Sequence, residues 1–182
     1  EGQSVAYTNY SGDGGVGIGS FFRRLGFALR YSELNLLISN QLSDDSKLIM
    51  ERNVVSRVKK AAPFLYTDND PYLALIEGNL FWIIDMYTVS DKYPYAQPAD
   101  TRRINENSGL PMNFNYLRNS VKAVVNAYDG TMNFYVVDEN DPLISSYKDI
   151  FPNLFTQKSS MSSELLDHIR YPEDLFTIQS DM

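Results

Sequence analysis

The chain has 182 residues, of which 43% are hydrophobic, 13% aromatic and 21% charged, and this composition excludes intrinsic disorder. Sixteen basic and 23 acidic residues give a net charge of −7, which argues against nucleic acid as the main partner because phosphates bind basic surfaces. The absence of cysteine excludes thiol nucleophiles, disulfides, iron–sulfur clusters and cysteine-bound zinc.

The N-terminal part predicts a lead-in and two helices. Residues 1–19 are small and polar and end in a glycine cluster, which predicts a flexible lead-in. The glycines spell G-x-G-x-x-G over 12–17, but no apolar strand precedes them, which disfavours a dinucleotide site. Helical spacing of apolar residues predicts a helix over 20–39 and a second one from the start signal at 43–46 to Pro63.

A first β-hairpin is predicted in the middle of the chain. Two apolar segments, 72–76 and 80–88, flank a glycine that permits a tight turn. With a two-residue turn at 78–79, Ala74 would lie opposite Ile83. Both faces of this hairpin would be apolar, so we expect it to be central and covered on two sides.

A second hairpin is predicted by Asp129 and Gly130, which form the strongest short-range turn signal. A type I′ turn there would place Val125 opposite Phe134 on an apolar face. The opposite face would be a mixed surface that water or a ligand could contact. It carries Lys122, Asn126, Tyr128, Asn133 and Tyr135.

The remaining chain predicts a long connector between the hairpins and helices after them. Residues 90–119 are rich in proline and asparagine, and long loops tend to be functional or mobile. Asp141 followed by Pro142 predicts a helix start, and a last helix is predicted around 163–171. The order predicts an α+β fold: an antiparallel sheet of at least four strands, packed with N-terminal and C-terminal helices in one domain over 20–182.

Candidate ligand-binding residues lie on the connector and on the strands beside it. They are Asp85, Tyr87, Tyr93, Tyr95 and Arg118. Aromatic faces, carboxylates and guanidinium groups are what a sugar or another polar small molecule would contact. Anchoring of the loop on the sheet would use the same residue types.

Neither a metal nor a cofactor is indicated by the sequence. His168 is the only histidine, which excludes a zinc site built on two or three histidines. The acidic clusters around Asp68 and Asp138 offer oxygen ligands to a hard cation, but the Asp-Pro pairs in them are more typical of turns and helix caps.

Several longer strings of residues carry a family resemblance. They are APFL at 62–65, DPY at 70–72, WIIDMYT at 82–88, YPY at 93–95, NYLRNSVKAV at 115–124, AYDG at 127–130 and HIRYPEDLF at 168–176. These strings resemble the bacterial membrane proteins of uncharacterised protein family 0182. The resemblance implies that the chain is a fragment of the extracytoplasmic portion of a multi-pass protein of the cell membrane, without a membrane span of its own. It implies no catalytic residue and no established activity.

Two functions are compatible with these features. The first is a non-enzymatic extracytoplasmic module that binds the remainder of its own chain, another envelope protein or a polar ligand. The alternative is an envelope hydrolase acting on sugars or phosphates, with Asp85 or Asp91 as acid or base and Arg118 as an anion clamp.

Overall fold

The computed structural model describes residues 10–12, 14–104 and 108–180, and the chain divides into two compact units, Glu1–Met50 and Glu51–Met182. The division falls inside 20–182, the range predicted as one domain. A single domain stays a prediction, because compactness alone does not say whether the two units fold independently. The predicted lead-in lies partly outside the described residues.

The first unit contains two short strands and two helices. They are β1 (Val16–Gly17), α1 (Phe21–Tyr31), α2 (Asn35–Ile38) and β2 (Lys47–Leu48), and β1 pairs antiparallel with β2. The helix predicted over 20–39 is therefore interrupted. Ser32 ends α1 in the left-handed conformation, with φ of 54°.

Helix α3 (Val54–Ala61) opens the second unit and ends before Pro63, as predicted. Its predicted start at 43–46 is wrong, because Lys47 and Leu48 form β2. The helix begins instead at Asn53, whose side-chain oxygen accepts a hydrogen bond from the Ser56 backbone N–H at 2.9 Å. This contact satisfies one of the free N–H groups of the first turn.

A six-stranded sheet forms the centre of the second unit. Its strands are β3 (Tyr66–Thr67), β4 (Tyr72–Ile76), β5 (Asn79–Ser90), β6 (Tyr116–Asn126), β7 (Met132–Val136) and β8 (Phe155–Gln157). The order is β3-β5-β6-β7-β8, and β4 pairs with β5 on the edge that β3 also uses. Neighbours are antiparallel except β7 and β8. The predicted α+β class with at least four antiparallel strands is confirmed.

Three α-helices follow β7 in the described part of the chain. They are α4 (Pro142–Ile150), α5 (Ser163–Asp167) and α6 (Glu173–Ser180). The predicted start of α4 is confirmed, since Asp141 accepts a hydrogen bond from the Leu143 N–H and Pro142 occupies the first turn. The last predicted helix is shorter than expected, and α6 begins after Pro172. Among the described residues, none of the helices combines the length and the apolar character that a membrane crossing needs.

Both faces of the sheet are covered over its central strands. On one, the helix face, side chains from β5, β6 and β7 pack with Val58 of α3 and Ile144 of α4. On the other, the C-terminal face, Ile83 and Val124 pack with Met161 and with Leu165 of α5. Each face therefore holds an apolar core of its own.

The predicted cross-strand partners are wrong in both hairpins. Ala74 lies opposite Phe81 rather than Ile83, and Val125 lies opposite Met132 rather than Phe134. Each partner differs by two residues, so every side chain keeps its predicted face. Val125 and Phe134 are accordingly buried in the same core.

Turn chemistry explains both displacements. In the first hairpin the two turn residues are Glu77 and Gly78, with φ of 50° and 77°, as a type I′ turn requires. In the second, the Asn126 N–H donates to the Thr131 carbonyl at 2.9 Å, which leaves a four-residue loop over 127–130. The Asn126 side chain accepts from the Tyr128 N–H at 2.8 Å and so stabilises this longer loop.

The first hairpin is not covered on two sides as predicted. Among the described residues, strand β4 pairs only with β5, and its Leu73 and Leu75 side chains are 46% and 58% exposed. Only β5 is central.

We expect Gly130→Ala to lower the free energy of unfolding by about 1–3 kcal/mol, because Gly130 has φ of 74° and an added Cβ would overlap the Arg57 guanidinium that binds its carbonyl. Gly78→Ala is the matched control: its φ is 77°, but nothing lies within 4 Å of the added Cβ. Urea unfolding should show the larger loss for Gly130. Equal losses would contradict the role of the Arg57 contact.

Candidate functional site

The five predicted ligand residues do not form one surface. Asp85 and Tyr87 are buried, whereas Tyr93 and Tyr95 are exposed and Arg118 is half-buried. The two residues of β5 and the three others therefore have different environments, which we describe in turn.

Asp85 forms a buried ion pair with Lys122, which stands directly opposite it in β6. Both side chains are 3% exposed, and the Lys122 ammonium also donates to the Arg170 carbonyl at 2.9 Å. Burial raises the pKa of Asp85, and the ammonium opposes the rise. The prediction that Lys122 lies on an open face is wrong, because the C-terminal segment covers this face and Asp85 neutralises the charge.

A second buried network joins the sheet to the C-terminal segment. The Tyr87 hydroxyl donates to Asp68, which also accepts from the Asp174 backbone N–H at 3.1 Å. The Asp174 carboxylate accepts from the Ser108 hydroxyl at 2.6 Å and from the Asn69 N–H at 3.2 Å. Burial raises the pKa of Asp174, and the Ser108 hydroxyl opposes the rise. These contacts tie the connector and the start of α6 to the strands.

On the helix face, the Asp141 carboxylate accepts four hydrogen bonds. One oxygen accepts from the Tyr116 hydroxyl at 2.6 Å and the Leu143 N–H at 2.9 Å. The other accepts from the Ser120 hydroxyl at 2.5 Å and from the Thr88 hydroxyl. Burial by itself raises the pKa of Asp141, but these bonds outweigh it and hold the pKa below its usual value.

A β-bulge in β6 brings Ser120 to this carboxylate. Met86 lies opposite Val121 and Tyr87 lies opposite Asn119, so Ser120 has no partner in the β5–β6 ladder. Such an extra residue re-aims its side chain. Burial and the bond to Asp141 raise the pKa of Tyr116 to about 12, so this hydroxyl keeps its proton at neutral pH.

Two of the predicted residues, Tyr93 and Arg118, contact Tyr116. The Tyr93 ring stacks on the Tyr116 ring, with centroids 5.5 Å apart at an angle of 25°. Arg118 also interacts with Tyr116, and its guanidinium binds Asp138 at 3.1 Å and the Asn140 carbonyl at 3.0 Å. We call Tyr93, Tyr116 and Arg118 the tyrosine surface. Sequence reasoning placed two of these three residues among the candidates.

Tyr116 also lines a groove between the connector and α6, with a volume of about 570 Å³. We call it the connector groove. Its walls include Gln97, Asp100, Phe114, Tyr116, Ile178 and Gln179. Apolar side chains with a few polar groups around them are typical of binding sites. Among the described residues, no group of three or more histidine and acidic side chains could hold a metal ion.

Comparison with known proteins identifies the family. A model described as Uncharacterised protein family (UPF0182) matches residues 1–182. The chain belongs to this family, and the resemblance found in the sequence is confirmed. No solved structure matches the chain.

Three UPF0182 relatives illustrate how much of the parent protein the chain represents. One from Trichodesmium erythraeum is 49% identical over 97% of the chain and 20% of the relative. One from Corynebacterium efficiens is 44% identical over 98% of the chain and 19% of the relative. One from Clostridium novyi is 44% identical over 96% of the chain and 18% of the relative. The chain thus spans about one fifth of the length of these UPF0182 proteins.

We expect Asp141→Asn to destabilise the fold by about 1–3 kcal/mol at neutral pH, since an amide cannot accept all four hydrogen bonds. Because the pKa of Asp141 is lowered by folding, its stabilisation is complete above the unfolded pKa of about 3.9 and is lost as pH falls through the lower folded value. The difference between wild type and variant should therefore shrink below pH 4 in urea unfolding. Asp149→Asn, an exposed carboxylate in α4, is the control.

We expect Lys122→Met to cost about 3–5 kcal/mol of unfolding free energy, because it leaves the Asp85 carboxylate buried without its counter-charge. The double variant D85L/K122M removes both charges and should recover most of this loss. Lys59→Met, at an exposed position, should change little. A loss below 1 kcal/mol for Lys122→Met would contradict a desolvated pair.

Proposed function

We propose that this part of the UPF0182 protein is a non-enzymatic extracytoplasmic interaction module of a bacterial integral membrane protein. It binds a protein segment, supplied by the remainder of its own chain or by another envelope protein, along the connector groove and the tyrosine surface. The observation that supports this best is the Tyr93–Tyr116 stack at the edge of an open groove. The membrane location follows from the family resemblance alone.

The state of the carboxylates favours binding over catalysis. Asp85 is paired with Lys122, Asp141 accepts four hydrogen bonds, and Asp100 is held by Arg102 at 2.9 Å and 3.0 Å. A catalytic acid or base needs an accessible oxygen within hydrogen-bond reach of its substrate. An envelope hydrolase remains the alternative, and among the predicted acids it would have to use Asp91, which is exposed.

The groove favours a protein segment as the ligand. Leu117 and Leu175 are partly exposed apolar side chains in its walls, and Gln97 and Gln179 offer amide donors and acceptors. A peptide supplies both apolar side chains and backbone amides to such walls. Stacked tyrosines beside the groove add large contact area with little entropy to lose.

The proposal is tested with the parent protein from which the segment matching 1–182 has been deleted, solubilised in detergent micelles. We expect it to bind the isolated wild-type chain in biolayer interferometry. The variant Y93A/Y95A/R118A should bind at least tenfold more weakly, because it removes the stack and the guanidinium. A circular dichroism spectrum should show that the variant remains folded.

The matched control is Y128A/R52A, which removes an exposed tyrosine and an exposed arginine elsewhere in the same unit. It should bind like wild type. Equal affinity for all three chains would contradict the proposal, and no binding by wild type at 100 µM would exclude the remainder of the chain as the source of the segment. Hydrolysis of a phosphomonoester or an oligosaccharide that is lost in Asp91→Asn would support the hydrolase instead.

A further inference from the structure

Strand β4 is an open edge of the sheet. It pairs with β5 alone, and no hydrogen bond within the described part of the chain occupies the outward backbone groups of Leu73 and Leu75. Natural sheets usually protect such edges with proline, with charged side chains or with a covering loop. Residues 72–76 read Tyr-Leu-Ala-Leu-Ile and carry no such device.

The turn fixes which backbone groups point outward. In a two-residue hairpin the residues flanking the turn form a hydrogen-bonded pair, so Ile76 bonds to Asn79 and Ala74 to Phe81. Leu73 and Leu75 belong to the non-hydrogen-bonded pairs of this hairpin. Their backbone N–H and C=O groups therefore face away from β5. Leu80, the partner of Leu75, confirms this direction. Its carbonyl accepts a hydrogen bond from the Ala127 N–H on the side of β5 that faces away from β4. The edge thus offers two N–H donors and two C=O acceptors, spaced as another β-strand requires.

The same residues present an apolar patch. Leu73 and Leu75 lie opposite Trp82 and Leu80, and the three leucines are between 46% and 58% exposed. An exposed strand edge with an apolar side accepts another extended strand, which satisfies the backbone groups and covers the side chains together.

We propose that the occupant of this edge is β4 of a second copy of the chain, paired antiparallel about a twofold axis at Ala74. The pattern of β4 is symmetric about Ala74, with leucine on each side. In this register Leu73 of each copy lies opposite Leu75 of the other, and the two pairs exchange four N–H···O bonds. A twofold contact requires such self-complementarity, because each copy contributes the same surface.

The charges at the ends of β4 test this register. The Arg170 guanidinium lies 4.5 Å from the centre of the Tyr72 ring, at the start of β4, and the exposed Asp70 lies two residues before Tyr72. Glu77 follows the end of β4, and its N–H binds the Glu164 carboxylate. The twofold axis would place the start of one β4 beside the end of the other, so Arg170 of each copy would attract the acidic end of its neighbour and Asp70 would repel it. The six-stranded sheet would then continue across both copies.

A cysteine cross-link tests the register. The chain has no cysteine, so a disulfide in Ala74→Cys can form only between copies. Opposed residues of a non-hydrogen-bonded antiparallel pair have Cα atoms about 4.5 Å apart, within the range of a disulfide. The Ala74 side chain is 4% exposed, so the control is Ala123→Cys, which places a cysteine at a similarly buried position of β6. We expect Ala74→Cys to cross-link at least tenfold faster than Ala123→Cys.

Sedimentation equilibrium up to 1 mM tests the association itself. We expect a monomer–dimer equilibrium that L73K/L75K weakens at least tenfold, whereas F22K/L29K, the same change at two other exposed apolar residues, leaves it unaltered. Arg170→Glu should weaken the dimer, and R170E/E77K should restore it by exchanging the charges. In hydrogen exchange, the Leu73 and Leu75 amides should gain protection as concentration rises.

Three results would overturn this inference. They are a wild-type chain that stays monomeric at 1 mM, a dimer that L73K/L75K does not weaken, and equal cross-linking of the two cysteine variants. Protection of the Leu73 and Leu75 amides only within the intact parent protein would assign the edge to another part of that protein, and would also overturn it.

Discussion

The second unit depends on the buried carboxylate of Asp141. Its four hydrogen bonds join the start of α4 to β5 through Thr88 and to β6 through Ser120 and Tyr116. A buried carboxylate is tolerated only when its acceptor sites are filled, so these elements fix one another's positions. The tyrosine surface follows from this constraint. Tyr116 stands where Tyr93 can stack on it because Asp141 holds its hydroxyl.

The C-terminal face is organised by the same principle with other residues. Lys122 holds the segment before α6 through the Arg170 carbonyl, and Asp174 holds the connector through Ser108. Residues of α6 directly after Asp174 form one wall of the connector groove. Buried polar contacts of this kind fix orientation more than they add stability. The groove therefore has a defined shape although its walls come from a long loop and a short helix.

Local signals in the sequence predicted a large part of this fold. Asp141 with Pro142 marked a helix start because capping depends on neighbouring residues only. The alternation of apolar and polar residues predicted the correct face of the sheet for Val125 and Phe134. It could not predict their cross-strand partners, because a shift of two residues leaves every side chain on the same face. The loop length that decided the register came from the Asn126 side chain, and asparagine carries no such signal by itself.

The buried polar partners could not be predicted, since they are distant in sequence. Asp68 and Asp174 are 106 residues apart, and nothing local to Lys122 indicates that Asp85 lies opposite it. The burial of Asp85 and Tyr87, two residues predicted as ligand-binding, could not be foreseen from residue type for a related reason. Both faces of β5 are covered from Ile83 to Thr88, so a polar residue in this part of the strand contacts another protein group rather than solvent. On the connector, by contrast, the predicted residues Tyr93 and Tyr95 are exposed, and their role in binding stays a prediction.

The β4 edge and the connector groove are the two surfaces proposed to bind partners, and most of the length of β5 separates them. Leu75 lies opposite Leu80 near the start of β5, whereas Tyr116 lies opposite Ser90 at its end. At a rise of about 3.3 Å per residue, the ten residues between these positions span roughly 30 Å. A second copy on the β4 edge would therefore leave the connector groove open. Pairing two copies would present two grooves on one continuous sheet, and two linked sites bind a partner with two matching segments more tightly than either site alone.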